Sequence, residues 1–314
     1  MLTPSLFMLG GLVLLAGGAE GLVRGSSALA LRLGVTPLVV GLTVVAFGTG
    51  SPELFVSVEA SARGEGGIAL GNVVGSNISN VALILGLSAL ARPMKVRSEL
   101  IRREVPLMIA VTLLLCLLLL DGTLSRVEGL ILAAGSIAYT AFAYLAARRD
   151  RSKAVAEEFE EALAGPKRAA WVDVVLVVAG FALLLVGARL LLSGATAVAE
   201  RFGVSQVVIG LTIVAIGTSL PELATSFVAS LRGEADVAFG NAIGSNILNI
   251  LLVLGVAAMI RPVEAQGLRP LDLGAMVASA VLLLPLMWRG WVLNRWEGAL
   301  LLAGYVAYLY SVVS

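Results

Sequence analysis

The stretch from Gly41 to Gly86 reads GLTVVAFGTGSPELFVSVEASARGEGGIALGNVVGSNISNVALILG, and Gly210 to Gly255 reads GLTIVAIGTSLPELATSFVASLRGEADVAFGNAIGSNILNILLVLG. The two stretches lie 169 residues apart and align without a gap, and 27 of their 46 positions are identical. Identity at this level over a fixed offset indicates an internal duplication. The chain therefore contains two homologous halves, and the fold depends on how those halves are related.

The composition is that of a chain embedded in lipid. Of the 314 residues, 59% are hydrophobic and 14% are charged, and the mean hydropathy is +0.98. A helix needs roughly 20 apolar residues to cross a hydrocarbon core. Dividing the sequence at its charged stretches predicts ten transmembrane helices, near residues 5–32, 36–62, 66–91, 104–121, 125–147, 172–200, 205–231, 236–260, 270–288 and 292–313.

The two halves are expected to be inverted with respect to each other. Five predicted spans separate the two copies, and because that number is odd, the copies cross the membrane in opposite directions. We therefore predict an all-α membrane protein with ten transmembrane helices arranged as two inverted five-helix repeats, residues 1–147 and 171–314, joined by a charged cytoplasmic linker at 148–170. Inverted repeats are typical of alternating-access transporters, whose substrate site lies near the midplane.

Basic residues predict the orientation in the plasma membrane, because Lys and Arg prefer the cytoplasmic side. With both termini outside and the linker in the cytoplasm, the inner segments carry 15 basic residues and the outer segments carry 5. The net charge of +1 gives no indication of a nucleic-acid partner. No obligate protein partner is evident in the sequence either, so the lipid bilayer is the expected surrounding.

A glutamate lies near the middle of the second predicted span of each half. An unpaired charge at that depth costs ~2.5–3.5 kcal/mol on insertion scales, and neither span has a basic side chain at the same depth. The alternative is that each carboxylate is protonated and only packs. Positions that offer oxygen share the helical face of each glutamate at i, i+3 and i+7: Ala46, Thr49 and Glu53, and Ala215, Thr218 and Glu222. Pro52 and Pro221 are expected to kink these helices beside the carboxylates.

The third span of each half carries a one-sided polar stripe: Asn72, Ser76 and Asn80 in the first half, and Asn241, Ser245 and Asn249 in the second. The residues deeper in the helix are predicted to bind an ion: Ser76, Asn80, Ser245 and Asn249. For the others, hydrogen bonding between helices and ion binding both stay open: Asn72, Asn77, Asn241 and Asn246.

This set of donors indicates a hard cation. The chain has no histidine, and its one cysteine, Cys116, lies in a different apolar run, so oxygen is the only ligand type. Calcium and sodium prefer such ligands. Two carboxylates would neutralise one Ca²⁺, or two Na⁺ or H⁺, so these occupancies would exclude one another as exchange requires. The missing histidine and the lack of paired mid-membrane aspartates exclude an enzyme, and a passive cation channel usually takes its pore from a ring of subunits.

The motifs GTGSPEL at 48–54, GTSLPEL at 217–223 and GNxxGSNxxN at 71–80 and 240–249 resemble the two alpha-repeats of the calcium/cation antiporter superfamily, of the prokaryotic sodium/calcium exchanger type. The resemblance implies Ca²⁺ and Na⁺ as transported ions without a cofactor, H⁺/Ca²⁺ antiport being the alternative, and first and sixth helices that slide to switch access. It implies these ligands: Ala46, Thr49, Glu53, Ser76, Asn80, Ala215, Thr218, Ser219, Glu222, Ser245 and Asn249.

Two positions depart from that pattern. Ser219 has Gly50 as its counterpart in the first copy, so one hydroxyl ligand is missing there. Asn249 is an amide at a position that can be aspartate in the archaeal exchangers that the chain resembles. The site then has two negative charges in place of three, which leaves the coupling ion and the stoichiometry open.

Overall fold

The computed structural model describes residues 2–98, 100–149, 169–202, 217–288 and 290–313. Within these ranges the elements follow in this order: α1 (Leu2–Leu33), α2 (Pro37–Thr49), α3 (Ser51–Arg63), α4 (Gly66–Ala91), β1 (Met94–Lys95), α5 (Leu100–Asp121), β2 (Thr123–Leu124), α6 (Arg126–Arg149), α7 (Ala170–Arg201), α8 (Leu220–Arg232), α9 (Ala235–Ile260), β3 (Val263–Glu264), α10 (Pro270–Met287), β4 (Val292–Leu293) and α11 (Arg295–Val313).

The helices have the length and polarity that a membrane requires. In the described part of the chain, 7 helices are long and apolar enough to cross a bilayer, and up to 8 if α2 and α3 form one bent span. This confirms the prediction of an all-helical membrane protein. Residues 203–216, where the predicted span 205–231 begins, and most of the predicted linker at 148–170 lie outside the described residues.

Helices α4 and α9 form the centre of the protein. Their most apolar windows are 78% buried, against 28–39% for the other long apolar helices of the described part. Both helices contribute to one large hydrophobic core together with α5 and α10. These two helices carry the repeated GNxxGSNxxN motif, so the motif lies inside the protein and not at the lipid surface.

Two short strand pairs connect the halves. The pair β1 and β4 aligns Met94 with Leu293, and the pair β2 and β3 aligns Thr123 with Glu264, both antiparallel. Shifting β1 by 169 residues gives β3, and the same shift takes β2 to β4. Each pair therefore joins one element of the first half to one of the second, in the same way on both sides of the duplication.

An arginine from the opposite half lies at the end of each of α3 and α8. Both helices end at a glycine in the left-handed conformation, Gly64 with φ 84° and Gly233 with φ 85°, where a side chain would be strained. The Arg92 guanidinium donates to the carbonyl oxygen of Leu231 over 2.9 Å. A Cβ on Gly64 would lie 2.5 Å from Nη1 of Arg261. Glycine at these two ends thus permits the helix to stop and the arginine to approach.

Helices α1 and α7 pack antiparallel along a seam of glycines spaced seven residues apart: Gly11, Gly18 and Gly25 in α1, and Gly180, Gly187 and Gly194 in α7. A Cβ on Gly18 would lie 2.8 Å from the carbonyl oxygen of Gly180. Small residues let two membrane helices approach this closely. Apolar residues of this pair form a second hydrophobic cluster together with Val40 and Val45 of α2.

Candidate ion-binding site

The first GTxxPE segment breaks a helix beside Glu53, and in the second a helix begins beside Glu222. The break lies at Gly50, between α2 and α3, which meet at 46°, and its counterpart Ser219 has a similar backbone conformation with φ −87° and ψ 8°. Pro52 lies at the start of α3 and Pro221 at the start of α8, as expected for residues that lack an N–H. The predicted kink is confirmed at Pro52, where the predicted stripe of Ala46, Thr49 and Glu53 is divided between two helical segments instead of lying on one helix. The residues just before Gly217 lie outside the described part of the chain, so the kink at Pro221 stays a prediction.

The carboxylate of Glu53 is held by hydroxyls from both halves. Its side chain is 1% exposed. Ser76 of α4 donates to Oε1 over 3.3 Å, and Ser219 donates to the same oxygen over 3.1 Å. The two serine hydroxyls lie 3.2 Å apart. A residue of the second half thus completes the surroundings of the first-half glutamate, which brings the two repeats together in one site.

The surroundings of Glu222 differ at the position that departs from the duplication. Its side chain is also 1% exposed, but Gly50 supplies no hydroxyl where Ser219 supplies one to Glu53. A Cβ on Gly50 would lie 3.9 Å from Oε1 of Glu222 and 3.8 Å from Oδ1 of Asn249. The absent side chain therefore leaves space between these two oxygens.

Four buried oxygens of this region have no hydrogen-bond partner among the described residues: Oε2 of Glu53, Oε2 of Glu222, Oδ1 of Asn80 and Oγ of Ser245. Two come from each half. No ion pair between described residues involves either glutamate. Leaving a buried acceptor unpaired costs about 1–3 kcal/mol, and more when it is charged. A bound cation would satisfy the three carboxylate and amide oxygens, and the hydroxyl oxygen of Ser245 can also serve as a ligand.

Two asparagines at the start of the polar stripes support the glutamate helices. Asn72 donates to the carbonyl oxygen of Glu53 over 3.2 Å and to Ser57 over 2.9 Å, and it accepts from Thr218 over 3.5 Å. The second half repeats these hydrogen bonds: Asn241 donates to the carbonyl oxygen of Glu222 over 3.3 Å and to Ser226 over 2.9 Å, and accepts from Thr49 over 3.0 Å. For Asn72 and Asn241 the observed contacts therefore favour hydrogen bonding between helices.

The other predicted ligands surround the same region. Ala46 is buried, and its carbonyl oxygen accepts the N–H of Gly50 over 3.0 Å. Thr49 and Ser245 are fully buried, and Thr218 is half-buried. Ala215 lies outside the described residues. The ligand set itself stays a prediction.

The sequence model of the family described as "Sodium/calcium exchanger protein" matches residues 4–145 and 172–313. The chain belongs to the sodium/calcium exchanger family. This confirms the resemblance of its repeated motifs, and because the family is one of transporters, it also confirms that the chain is not an enzyme. The two matched segments correspond to the two predicted halves and omit the region around the predicted linker.

Relatives of this family member cover almost its whole length. The inner membrane protein YrbG of Escherichia coli is 39% identical over 98% of this chain and 96% of its own. The sodium/calcium exchanger MaX1 of Methanosarcina acetivorans is 34% identical over 97% of both chains. The solved structure of the sodium-calcium exchanger NCX_Mj, soaked without Na⁺ and Ca²⁺, matches with a TM-score of 0.86 and 31% identity over 99% of both chains.

One set of contacts in this exchanger-family chain was not predicted from its sequence. Asn77 and Asn80 of α4 bind crosswise to their counterparts in α9: the Asn80 amide donates to Oδ1 of Asn246 over 3.0 Å, and the Asn249 amide donates to Oδ1 of Asn77 over 3.1 Å. The offset of 169 residues identifies these four asparagines as two pairs of equivalents. It does not reveal that each binds the non-equivalent residue of the other half, because that depends on how α4 and α9 cross.

Proposed function

We propose that this chain is a secondary active antiporter that exchanges Ca²⁺ for Na⁺ across the membrane by alternating access. The observation that carries the proposal is the group of four buried, unpartnered oxygens, two from each half, of which two belong to carboxylates without a basic partner among the described residues. Calcium takes six to eight oxygen ligands in flexible geometry. The family relative MaX1, named a sodium/calcium exchanger, supports the same pair of ions.

The proposed ligands are the residues predicted from the motifs: Ala46, Thr49, Glu53, Ser76, Asn80, Ala215, Thr218, Ser219, Glu222, Ser245 and Asn249. With Glu53 and Glu222 ionised, the site has a charge of −2. One Ca²⁺ or two Na⁺ would neutralise it, but both together would leave an excess of buried positive charge. Competition for the same oxygens would therefore couple the uptake of one ion to the release of the other.

We further propose ten transmembrane helices in two inverted repeats, residues 1–147 and 171–314, with the linker at 148–170 between them. The antiparallel packing of α1 on α7 and the two strand pairs related by the 169-residue offset support an inverted arrangement. Alternating access would come from sliding of α1 and α7 over the rest of the protein. The resemblance of the repeated motifs supports this, because it implies first and sixth helices that slide.

The proposed location is the plasma membrane, with both termini outside and the linker in the cytoplasm. The distribution of 15 basic residues on the inner side and 5 on the outer side supports this orientation. Ca²⁺ and Na⁺ are the proposed substrates. We propose no cofactor, nucleic-acid partner or obligate protein partner.

The test is uptake of calcium-45 into vesicles that contain the purified chain. An outward Na⁺ gradient is expected to drive accumulation of Ca²⁺ above its external concentration, and an outward H⁺ gradient in the absence of Na⁺ is expected to drive none. Accumulation driven by H⁺ alone would replace sodium by protons as the coupling ion. Equilibration of Ca²⁺ without any coupling gradient would identify a passive channel.

A further inference from the structure

We propose that Asn77 and Asn246 are positioning residues, which hold the side-chain amides of Asn249 and Asn80 with their oxygens toward the ion. The inference rests on the proposed function, because it concerns the orientation of two ligands proposed there. Neither Asn77 nor Asn246 is among the proposed ligands. Their role would be to decide which end of another residue's amide a cation meets.

The orientation of the two positioning amides follows from a backbone contact. Asn77 Nδ2 lies 3.2 Å from the carbonyl oxygen of Asn246, and Asn246 Nδ2 lies 3.2 Å from the carbonyl oxygen of Asn77. A carbonyl oxygen only accepts hydrogen bonds, so the side-chain atom that faces it must be the nitrogen. Asn246 Nδ2 also lies 3.4 Å from Sδ of Met108, a second acceptor. Both amides are thereby fixed, with Oδ1 on the side away from the carbonyl.

These fixed oxygens in turn determine the orientation of the proposed ligands. Oδ1 of Asn77 faces the Asn249 amide over 3.1 Å, and Oδ1 of Asn246 faces the Asn80 amide over 3.0 Å. Because Oδ1 can only accept, the ligand atom that faces it is Nδ2 in both cases. The remaining atom of each ligand amide is its oxygen.

The ligand oxygens point where an ion is proposed. Oδ1 of Asn80 is buried without a hydrogen-bond partner among the described residues. Oδ1 of Asn249 borders the space at Gly50, as Oε1 of Glu222 does. A cation is attracted by the amide oxygen and repelled by the amide N–H groups, so a flipped amide would weaken binding. Water cannot readily replace the orienting contacts, because Asn77 is 1% exposed and Asn246 is 3% exposed.

A carboxylate at a ligand position would not need a neighbouring residue to fix its orientation. Both of its oxygens accept and both attract a cation, so it needs no neighbour to choose its orientation, and at position 249 one of its oxygens would face the Oδ1 of Asn77, which also only accepts. Replacing Asn249 by Asp should therefore remove the dependence of that position on Asn77, and replacing Asn80 by Asp should remove its dependence on Asn246. The crosswise contacts predict which carboxylate compensates for which loss.

The experiment measures the Kd for Ca²⁺ of the purified full chain, by titration calorimetry in sodium-free buffer. Asn77→Leu keeps the side-chain size and is expected to raise the Kd about tenfold, the effect of losing one neutral ligand. In Asn77→Leu combined with Asn249→Asp, the Kd should be no higher than in Asn249→Asp alone, because the leucine then removes an acceptor that faces the carboxylate. Adding Asn80→Asp to Asn77→Leu should leave the tenfold penalty in place relative to Asn80→Asp alone.

The second arm starts from Asn246→Leu, which is also expected to weaken calcium binding. Asn80→Asp should compensate for that loss of affinity, and Asn249→Asp should not. If Asn77→Leu does not fold, this arm alone tests the proposed positioning role. Equal compensation by both aspartates would mean that added charge alone explains the effect, and would overturn the proposal, as would a Kd unchanged in both leucine variants. Calcium binding without Na⁺-driven uptake in the wild type would refute sodium exchange and leave the positioning test intact, whereas no calcium binding by the wild type would overturn both.

Discussion

The packing of α1 on α7 predicts that an added methyl group at Gly18 destabilises the protein, whereas the same change at its neighbour Gly17 does not. A Cβ on Gly18 would lie 2.8 Å from the carbonyl oxygen of Gly180, about 0.6 Å inside the 3.4 Å at which ordinary contact begins. The obstacle is backbone, so the helices must separate. Overpacking of this kind costs typically 1–3 kcal/mol. At about 2 °C per kcal/mol for a chain of this size, Gly18→Ala should melt about 2–6 °C below a glycine-to-alanine control that shares its gain in helix propensity but meets no obstacle.

Gly17→Ala is the matched control, because a Cβ on Gly17 would meet nothing within 4 Å. Both substitutions gain about 1 kcal/mol in helix propensity, so the control should melt at the wild-type temperature or slightly above it. A thiol-reactive dye can follow unfolding in detergent through the single cysteine, Cys116, which is half-buried and free. Equal melting temperatures for Gly18→Ala and Gly17→Ala would refute the close packing of the two helices.

Two further substitutions test an ion pair and the asymmetry of the site. Arg32 binds Asp173 over 2.6 Å, and Asp173 is 1% exposed, so Arg32→Gln should destabilise the folded chain by about 3 kcal/mol because a buried charge loses its partner. The control is Arg63→Gln, at an exposed ion pair, which should change stability by less than about 1 kcal/mol. Equal melting curves for the two variants would contradict this prediction. Gly50→Ser adds a hydroxyl beside Glu222 and should lower the Kd for Ca²⁺ by up to about tenfold. Gly50→Ala adds no hydroxyl and should not lower the Kd. Titration calorimetry with Ca²⁺ measures both values.

Features that recur at equivalent positions of the two halves could be predicted from the sequence, because the duplication makes them visible. The two glutamates, the kink at Pro52 and the two polar stripes follow from equivalent residues at a fixed offset and from the cost of burying charge. The exposed face of α1 could not be separated from its packed face in this way. Gly17 and Gly18 are adjacent glycines in an apolar run, and only the packing of α7 against one side makes them different.

Contacts between the halves could not be predicted from the sequence, for a related reason. Asn77 and Asn246 are equivalent by position, which left hydrogen bonding and ion binding equally open for both. Their role depends on which residue faces them across the interface of α4 and α9, and the crossing of two helices is set by packing over their whole length. The hydroxyl of Ser219 is a similar case, since its contact with Glu53 joins residues 166 apart in sequence.

Equilibrium binding of calcium-45 to the purified chain tests whether Glu53 and Glu222 form one cation site. We predict that the wild type binds one Ca²⁺ per chain and that Na⁺ displaces it. Glu53→Gln and Glu222→Gln should each raise the Kd at least about tenfold while the protein still folds, because each removes one of two buried charges. Calcium binding with wild-type affinity in either folded glutamine variant would contradict a site shared by the two glutamates.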